Sequence, residues 1–157
     1  MGDALKQRLK QKTFESPDQE SFLNIFVTAN FLRMKNDEVL SRYGLTSPQY
    51  NVLRILKGKF PDGYPRCDII TRMMDQAPDV TRLIDRLIKE GYVERFNSSE
   101  DRRLSIAKIT DKGLQLLDKL KPEIESLHKL ISDNLNKEER KQLSALLEKI
   151  YANYVVN

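Results

Sequence analysis

Arginines recur in the middle of the chain at a spacing suited to binding an anionic polymer. Arg82 and Arg86 are four residues apart, and Arg102 and Arg103 follow farther along. A guanidinium carries its N–H donors in a rigid fork that matches the paired acceptors of guanine and the oxygens of a phosphate. The net charge of +4 permits such binding but does not establish it. Taken alone, the clustered charge fits a solvated helix face as well as a binding surface.

The stretch from Pro78 to Thr110 contains the elements that would position these arginines. Apolar residues recur there at helical spacing until Gly91 ends the run. Two segments of alternating character follow, Tyr92 to Phe96 and Leu104 to Ile109, with the turn Asn97-Ser98-Ser99-Glu100 after the first. This order, a helix and then a two-stranded hairpin, predicts a winged helix. The apolar face of the helix comprises Val80, Leu83, Ile84, Leu87 and Ile88.

A shorter helix is predicted just upstream and completes a helix-turn-helix. It begins near Asp68, after a loop from Lys57 to Pro65 that is rich in glycine and proline and holds a short strand near Tyr64 to Arg66. In a helix-turn-helix the second helix enters the major groove of DNA. The helix with Arg82 and Arg86 is therefore the candidate recognition helix. The buried side of the shorter helix is expected to hold Ile69, Ile70, Met73 and Met74.

A long helix is predicted before this unit. It starts after Ser16-Pro17-Asp18 and stops near Tyr43-Gly44, where glycine accepts the left-handed conformation of a helix C-cap. The next helix opens at Thr46-Ser47-Pro48, because a hydroxyl can cap the free amides and proline fits the first turn. Residues 1–18 carry no clear apolar period, and we expect much of that arm to be loose.

Two further apolar stripes follow the hairpin. The first begins after Thr110-Asp111 and contains Pro122, which should kink the helix or mark a join between two helices. Asn134 or Asn136 caps the second. A winged helix does not need these stripes, so they must be buried elsewhere: against a second copy in a twofold dimer, or against their own monomer. The second stripe comprises Leu143, Leu146, Leu147, Ile150, Tyr151 and Tyr154.

Three coupled motifs make the chain similar to the MarR family of transcriptional regulators. They are TRLIDRLIKEGYVER from Thr81, DRR from Asp101 and ITDKG from Ile109. The resemblance implies a mainly α fold with a small β-wing, a winged helix-turn-helix with flanking dimerisation helices. It also implies a homodimer that binds double-stranded DNA, as a repressor at a pseudo-palindromic operator. The expected parts are a single domain over 1–157, a DNA-binding part at 45–110, and dimerisation helices at 19–44 and 111–157.

The resemblance assigns roles in the recognition helix. Pro78, Asp79, Thr81 and Arg82 would occupy groove-facing positions, with Arg82 reading base edges, and Arg86 would lie nearer a phosphate. Asp79 departs from the family pattern, in which small hydroxyl or apolar residues are usual. Its carboxylate would either accept from cytosine N4 or favour the helix N-terminus through the helix dipole. The lack of a capping hydroxyl just before Pro78 favours the second role.

In the hairpin turn, Asp101 and Arg103 match the family's most characteristic pair. Arg103 would enter a narrow minor groove, and Asp101 would hold its guanidinium in a fixed pose. Arg102 would meet backbone phosphate. The alternative is that this DRR sequence is only a polar hairpin turn.

Many members of the family bind small aromatic or anionic effectors in a crevice between the dimerisation helices and the winged helix. Phe31, Met34, Tyr43 and Tyr50, together with Arg33, lie on segments that would border such a crevice. Aromatic residues and methionines at helical spacing are also ordinary core residues. The sequence therefore names no effector.

Other functional classes find less support. His128 is the one histidine, without a metal-ligand spacing around it, so we predict no enzyme, no catalytic residue, no metal and no cofactor. Cys67 cannot form an intramolecular disulfide, and we expect a buried or inert thiol. With no apolar run long enough for a membrane and no hydrophobic signal region, we expect a cytoplasmic protein. The main competing hypothesis is a winged-helix module that docks protein through the same basic face.

Overall fold

Helices account for most of the structure, and a small antiparallel sheet accompanies them, which confirms the predicted fold class. The computed structural model describes residues 2–74, 79–97 and 104–155. In chain order the elements are α1 (Asp3–Leu9), α2 (Pro17–Ser41), α3 (Ser47–Lys57), β1 (Tyr64–Pro65), α4 (Arg66–Ile70), α5 (Val80–Lys89), β2 (Val93–Asn97), β3 (Ser105–Ile109), α6 (Asp111–Ser132) and α7 (Lys137–Val155).

Two predicted helix starts are confirmed by their capping bonds. At the start of α2, the Ser16 hydroxyl accepts a hydrogen bond from the amide of Gln19 at 3.2 Å. At the start of α3, the Thr46 hydroxyl accepts from the Gln49 amide, and the Gln49 side chain accepts from the Thr46 amide at 2.9 Å. These bonds satisfy donors that a helix end leaves free. Gly44, between the two helices, has a φ of 68°, the left-handed conformation predicted there.

The sheet has the strand order β1-β3-β2. Strands β2 and β3 are antiparallel, with Val93 opposite Ile109 and Asn97 opposite Ser105, so they form the predicted hairpin. The short strand β1 pairs with the other edge of β3. With α3, α4 and α5 this sheet makes a winged helix. The core that holds it together also includes side chains of α2 and α6; it comprises Val39, Leu40, Leu45, Val52, Leu53, Leu56, Ile69, Val80, Ile84, Leu87, Val93, Ala107, Ile109, Leu116, Leu117, Leu120 and Ile124.

The predicted amphipathic character of α5 is confirmed. Val80, Ile84 and Leu87 are buried in the core, and Leu83 and Ile88 pack against it half-buried. The burial of one face leaves the other face of α5 exposed to solvent, as a helix at a surface requires. The exposed face carries Arg82, Arg86 and Lys89.

The two helices after the sheet resolve two alternatives of the sequence analysis. Helix α6 passes through Pro122 as a single helix, so the interpretation of Pro122 as a join between two helices is wrong. Helix α7 is capped by Asn136, whose side chain accepts from the Glu139 amide at 3.0 Å while the Glu139 carboxylate accepts from the Asn136 amide at 2.8 Å. Among the helices of the described ranges, we find none with both the length and the apolar character that crossing a membrane demands.

The expectation of a largely loose N-terminal arm is wrong. Residues from Asp3 to Leu9 form α1, and Leu5 is buried with 4% of its surface exposed. Phe14 and Glu20 lie close to Gly2, so α1 sits beside the start of α2. One buried leucine on a short helix creates no detectable apolar period, which is why the sequence pattern missed it.

The predicted buried side of α4 is only partly correct. Ile69 is fully buried and Met73 half-buried, but Ile70 is exposed and Met74 has 87% of its surface exposed. The helix spans only Arg66–Ile70, and so short a helix can bury little more than one side of a single turn. Met74 follows the helix, beyond the part that packs.

Gly63 fixes the approach of β1 to β3 and yields a test. It has a φ of 82°, and a Cβ there would collide with the carbonyl oxygen of Ala107. Gly63→Ala should therefore lower the free energy of unfolding by about 2 kcal/mol or more, through left-handed strain and the clash. Gly44→Ala is the matched control, because Gly44 has a φ of 68° but open space around its Cβ position. Equal losses in urea unfolding of the two variants would contradict this account.

Candidate nucleic-acid interface

The exposed face of α5 carries a cluster of basic side chains. The Arg82 side chain is 81% exposed. Arg86 lies one turn farther along the helix and is also exposed, followed by Lys89. Since residues four apart lie on the same side of a helix, Arg82 and Arg86 form a single basic row. This row points away from the buried Val80, Ile84 and Leu87 and is free of core packing.

Asp79 organises the first turn of this helix. One carboxylate oxygen accepts from the backbone amide of Arg82 at 3.3 Å, so Asp79 is the N-cap residue of α5. Its other oxygen lies 3.3 Å from Nε of the Arg82 side chain. The carboxylate therefore caps its own helix, which is the second of the two roles considered for Asp79, at the helix N-terminus. Both contacts draw on Arg82, the residue expected to read bases.

Two contacts hold α5 in place relative to its neighbours. Nη1 of Arg66, at the start of α4, donates to the Thr81 hydroxyl at 3.1 Å. Nη2 of Arg95, on β2, donates to Asp85 on α5 at 2.9 Å. Together these contacts link α5 to α4 and to the hairpin. A surface contact of this kind adds little stability, but it sets the direction of the guanidinium.

Arg66 was missed as a candidate site residue. The short helix is predicted to begin near Asp68, which leaves Arg66 in the preceding strand. Its position beside Thr81 depends on how α4 packs against α5, which no local pattern reveals. The contact between Arg95 and Asp85 likewise depends on how the hairpin packs against α5.

The far end of the hairpin is described only at its strands. Lys108 on β3 lies 2.7 Å from the Glu94 carboxylate on β2, and its Nζ lies 5.7 Å from the centre of the Phe96 ring. These pairs stabilise the two strands across the hairpin. Four predicted DNA-binding residues lie outside the described part of the chain: Pro78, Asp101, Arg102 and Arg103.

A concave region, separate from the basic row of α5, lies between α2 and α6. It is a cleft of about 440 Å³ lined by Lys35, Glu38, Val39, Arg42, Glu123, Ser126, Leu127 and Leu130. Tyr43 reaches its edge, because the phenol donates to Glu123 at 2.6 Å. Arg42 donates to the other oxygen of that carboxylate at 2.9 Å. The cleft therefore offers charges of both signs beside an apolar wall.

The other predicted effector residues lie outside the lining of this cleft. Phe31 and Met34 are exposed on α2. Tyr50 on α3 is half-buried, and its hydroxyl accepts from Arg54 at 3.3 Å. The assignment of Phe31, Met34, Tyr43 and Tyr50 to an effector site stays a prediction.

Two ionisable groups at this cleft have shifted pKa values. The hydrogen bond to Glu123 raises the pKa of Tyr43, because the bond favours the protonated phenol next to a carboxylate. The hydrogen bond from Lys35 at 3.1 Å, with its positive charge, lowers the pKa of Glu38. At neutral pH Glu38 is ionised and Tyr43 is a hydrogen-bond donor.

Of the two alternatives expected for Cys67, a buried or an inert thiol, the buried one is wrong and the inert one stays a prediction. The thiol is exposed, and its Sγ lies 3.5 Å from a carboxylate oxygen of Asp68. Cys67 is on the outer side of α4, which is too short to bury residues on every side. His128 is exposed on α6. Across residues 2–74, 79–97 and 104–155, acidic, histidine and cysteine side chains form no cluster that could hold a metal ion.

A helix-turn-helix with an exposed basic second helix and an adjacent hairpin defines the winged helix class of nucleic-acid-binding proteins. The model of the MarR family matches residues 45–105. A solved MarR transcription factor from Planctomyces limnophilus is 35% identical to this chain. The match covers 87% of this chain and 98% of the Planctomyces chain, with a TM-score of 0.67. The chain belongs to the MarR family of transcriptional regulators.

Two further proteins are similar to this chain. The uncharacterised HTH-type transcriptional regulator YwaE of Bacillus subtilis is 28% identical over 155 residues, which span 93% of this chain and 86% of YwaE. S. aureus MepR, solved in complex with DNA, is 22% identical to this chain. The match covers 85% of this chain and 96% of the MepR chain, with a TM-score of 0.74. At that identity the likeness to MepR concerns the fold.

The contact between Tyr43 and Glu123 predicts a pH effect. Because the pKa of Tyr43 is raised in the folded protein, its stabilising contribution is fully present below the ordinary tyrosine pKa of about 10. It is lost as the pH rises through the raised value. Urea unfolding should show a steeper loss of stability between about pH 9 and pH 12 for the wild type than for Tyr43→Phe.

Tyr50→Phe is the matched control, since its phenol lies against Arg54 and not against a carboxylate. This variant removes a phenol hydroxyl without touching Glu123. Parallel curves for the wild type and Tyr43→Phe would rule out a role for the Glu123 contact.

Proposed function

We propose that the protein is a homodimeric repressor that binds a pseudo-palindromic operator in double-stranded DNA and blocks access of the polymerase. The observation that carries this proposal is the basic row of α5, with Arg82 in the first turn of a helix that buries its opposite face. The N-terminal turns of a recognition helix are the part that reaches base edges in the major groove. A repressor acts where the DNA is, so we place the protein in the cytoplasm.

Exposed apolar faces support the dimer. On α2, Phe22 is 60% exposed and its ring centre lies 4.7 Å from that of Phe26, which is also exposed. On α7, the predicted stripe is open to solvent along most of its length, and Tyr154 is 83% exposed. Neighbouring large apolar side chains exposed together on a monomer mark interaction surfaces. We assign residues 19–44 and 111–157 to dimerisation and 45–110 to DNA binding, within one domain.

The proposal gives distinct roles to exposed residues of α5 and to the two residues before Val80. Arg82 reads a base edge, since arginine is the commonest specific partner of guanine. Arg86, one turn farther from the helix N-terminus, contacts phosphate. Asp79 caps the helix and orients Arg82 through the contacts described above, and Thr81 and Pro78 face the groove.

The hairpin supplies the second contact with DNA. We propose that Arg103 enters the minor groove, that Asp101 orients it, and that Arg102 binds phosphate. The support is their chemistry and their match to the family motif. Strand β2 is buried at Val93 and exposed from Glu94 to Asn97, which agrees with a contact made beyond its far end.

The cleft between α2 and α6 is the place where we expect a small effector. It joins a helix assigned to dimerisation to one that packs on the winged helix, so a ligand there could alter the spacing of the two recognition helices. Arg42 and Lys35 favour an anionic group, and Leu127 and Leu130 favour an aromatic body. We propose an aromatic or anionic effector with Tyr43 at the edge of its site, and with Phe31, Met34 and Tyr50 on the bordering segments.

The dimer can be tested by charge placed in the α7 stripe. Leu146 and Ile150 are 56% and 59% exposed on one side of α7. The double variant Leu146→Asp, Ile150→Asp should sediment as a monomer with wild-type helicity, because a buried unpaired carboxylate costs several kcal/mol. Lys141→Asp, on the opposite side of the helix, should remain a dimer. A wild type that is monomeric at micromolar concentration would contradict the proposal.

The roles of Arg82 and Arg86 predict different losses. A preferred site would first be selected from random duplexes with the wild-type protein. Arg82→Ala should lose about 1 to 3 kcal/mol of discrimination between that site and a random duplex in each half-site. Arg86→Ala and Arg102→Ala should weaken binding to both duplexes equally and reduce the dependence on salt. Equal loss on both duplexes for Arg82→Ala would refute its assignment to base reading.

A further inference from the structure

The surface between α5 and the hairpin must face a DNA backbone if the protein binds as proposed. A recognition helix in the major groove and a hairpin end in the adjacent minor groove lie on either side of one sugar-phosphate strand, because that strand separates the two grooves. The strand therefore crosses the protein between Thr81 on α5 and the paired strands β2 and β3. A phosphate there would meet whatever groups line this part of the surface.

A cleft of about 220 Å³ lies at this place, and its lining is suited to an anion. Its floor includes Ile84 and Ala107, which are almost fully buried. Its other lining residues are two arginines and two hydroxyl residues. Of the described residues that line it, none is acidic. These four polar residues are Arg66, Thr81, Arg95 and Ser105.

Each arginine is already held in position by a neighbour. Arg66 uses Nη1 for its bond to Thr81, and Arg95 uses Nη2 for its bond to Asp85. A guanidinium has several further N–H donors, so a single bond leaves capacity for a second acceptor. Arg95 is also 41% exposed, and Arg66 is exposed. The carboxylate of Asp85 reduces the local positive charge, but it also lowers the entropy lost when Arg95 binds a second group.

We propose that this cleft binds one phosphate of the DNA backbone, with Arg66 and Arg95 as its charged partners and Thr81 and Ser105 as hydroxyl donors. This inference rests on the proposed function. It adds residues of α4, β2 and β3 to an interface otherwise built from α5 and the hairpin turn. A phosphate held here fixes the register of α5 in the groove, since Arg66 contacts Thr81 and Arg82 is the next residue.

The test measures binding to a random-sequence duplex at several salt concentrations, which needs no known operator. Each phosphate contact contributes about 0.9 to the slope of log affinity against log salt, so losing one contact in each protomer should make the slope shallower by about 1.8. The double variant Arg66→Ala, Arg95→Ala removes both charged partners of that phosphate, so it should show this full change and bind about tenfold or more weakly at fixed salt. Each single variant should show part of the change, because one arginine still faces the phosphate.

Two controls separate phosphate binding from structural effects. Arg66→Lys and Arg95→Lys keep the positive charge and should keep the wild-type slope. Lys12→Ala, at an exposed position between α1 and α2, removes a charge elsewhere and should leave the slope unchanged. Circular dichroism and urea unfolding establish that each variant is folded; a variant that fails this check is replaced by the corresponding glutamine variant.

Three results would overturn the inference. The first is a folded double variant with the wild-type slope. The second is weaker binding with an unchanged slope in Arg66→Ala, which would mean that Arg66 acts only by holding Thr81. The third is calorimetric binding of inorganic phosphate that the double variant loses while its DNA slope stays unchanged, which would indicate a site for a free anion. A wild type without salt-dependent DNA binding would instead refute the proposed function itself.

Discussion

The burial of one face of α5 is the constraint on which the rest of the interface depends. Val80, Ile84 and Leu87 are fixed in the core, so rotation of the helix would expose apolar surface at about 25 cal/mol per Å². Because the helical period is fixed, this packing alone sets the direction of Arg82 and Arg86. The cap at Asp79 and the contacts of Arg66 and Arg95 refine a direction that the core has already chosen. Recognition therefore draws its rigidity from packing and its selectivity from a few exposed groups.

The helices outside the winged helix are linked to it by packing and by ion pairs. Arg42, the C-cap residue of α2, contacts Glu123 on α6 at 2.9 Å, and Lys57 on α3 contacts Asp118 on α6 at 3.0 Å. Such exposed pairs contribute little stability. Both pairs end on α6, so they connect α6 to the end of α2 and to α3. A ligand in the cleft beside Glu123 would compete with that carboxylate for Arg42. Because α6 also contacts α3, such a ligand would act on a helix that is joined to the winged helix.

Much of the fold was predictable because local signals agreed with one another. The structure contains the helix starts predicted at Ser16 and Thr46, the left-handed glycine predicted at Gly44, and the amphipathic helix predicted from the apolar period of α5. The failures have a common cause: α1, the exposed side of α4 and the exposure of Cys67 depend on short segments whose burial is decided by distant contacts. The same limit applies to the site. The basic row of α5 followed from spacing, whereas the approach of Arg66 to Thr81 required the packed structure.

The most direct test of the central claim is the salt dependence of DNA binding by the wild-type protein. A random-sequence duplex would be titrated at salt concentrations from about 50 to 200 mM, over which a protein that neutralises 6 to 10 phosphates loses roughly a thousandfold or more in affinity. The account predicts such a steep linear fall of log affinity with log salt, and tighter binding to a selected twofold-symmetric site. Absent or salt-independent binding by a folded dimer would contradict it and would favour a winged helix that docks protein through its basic face.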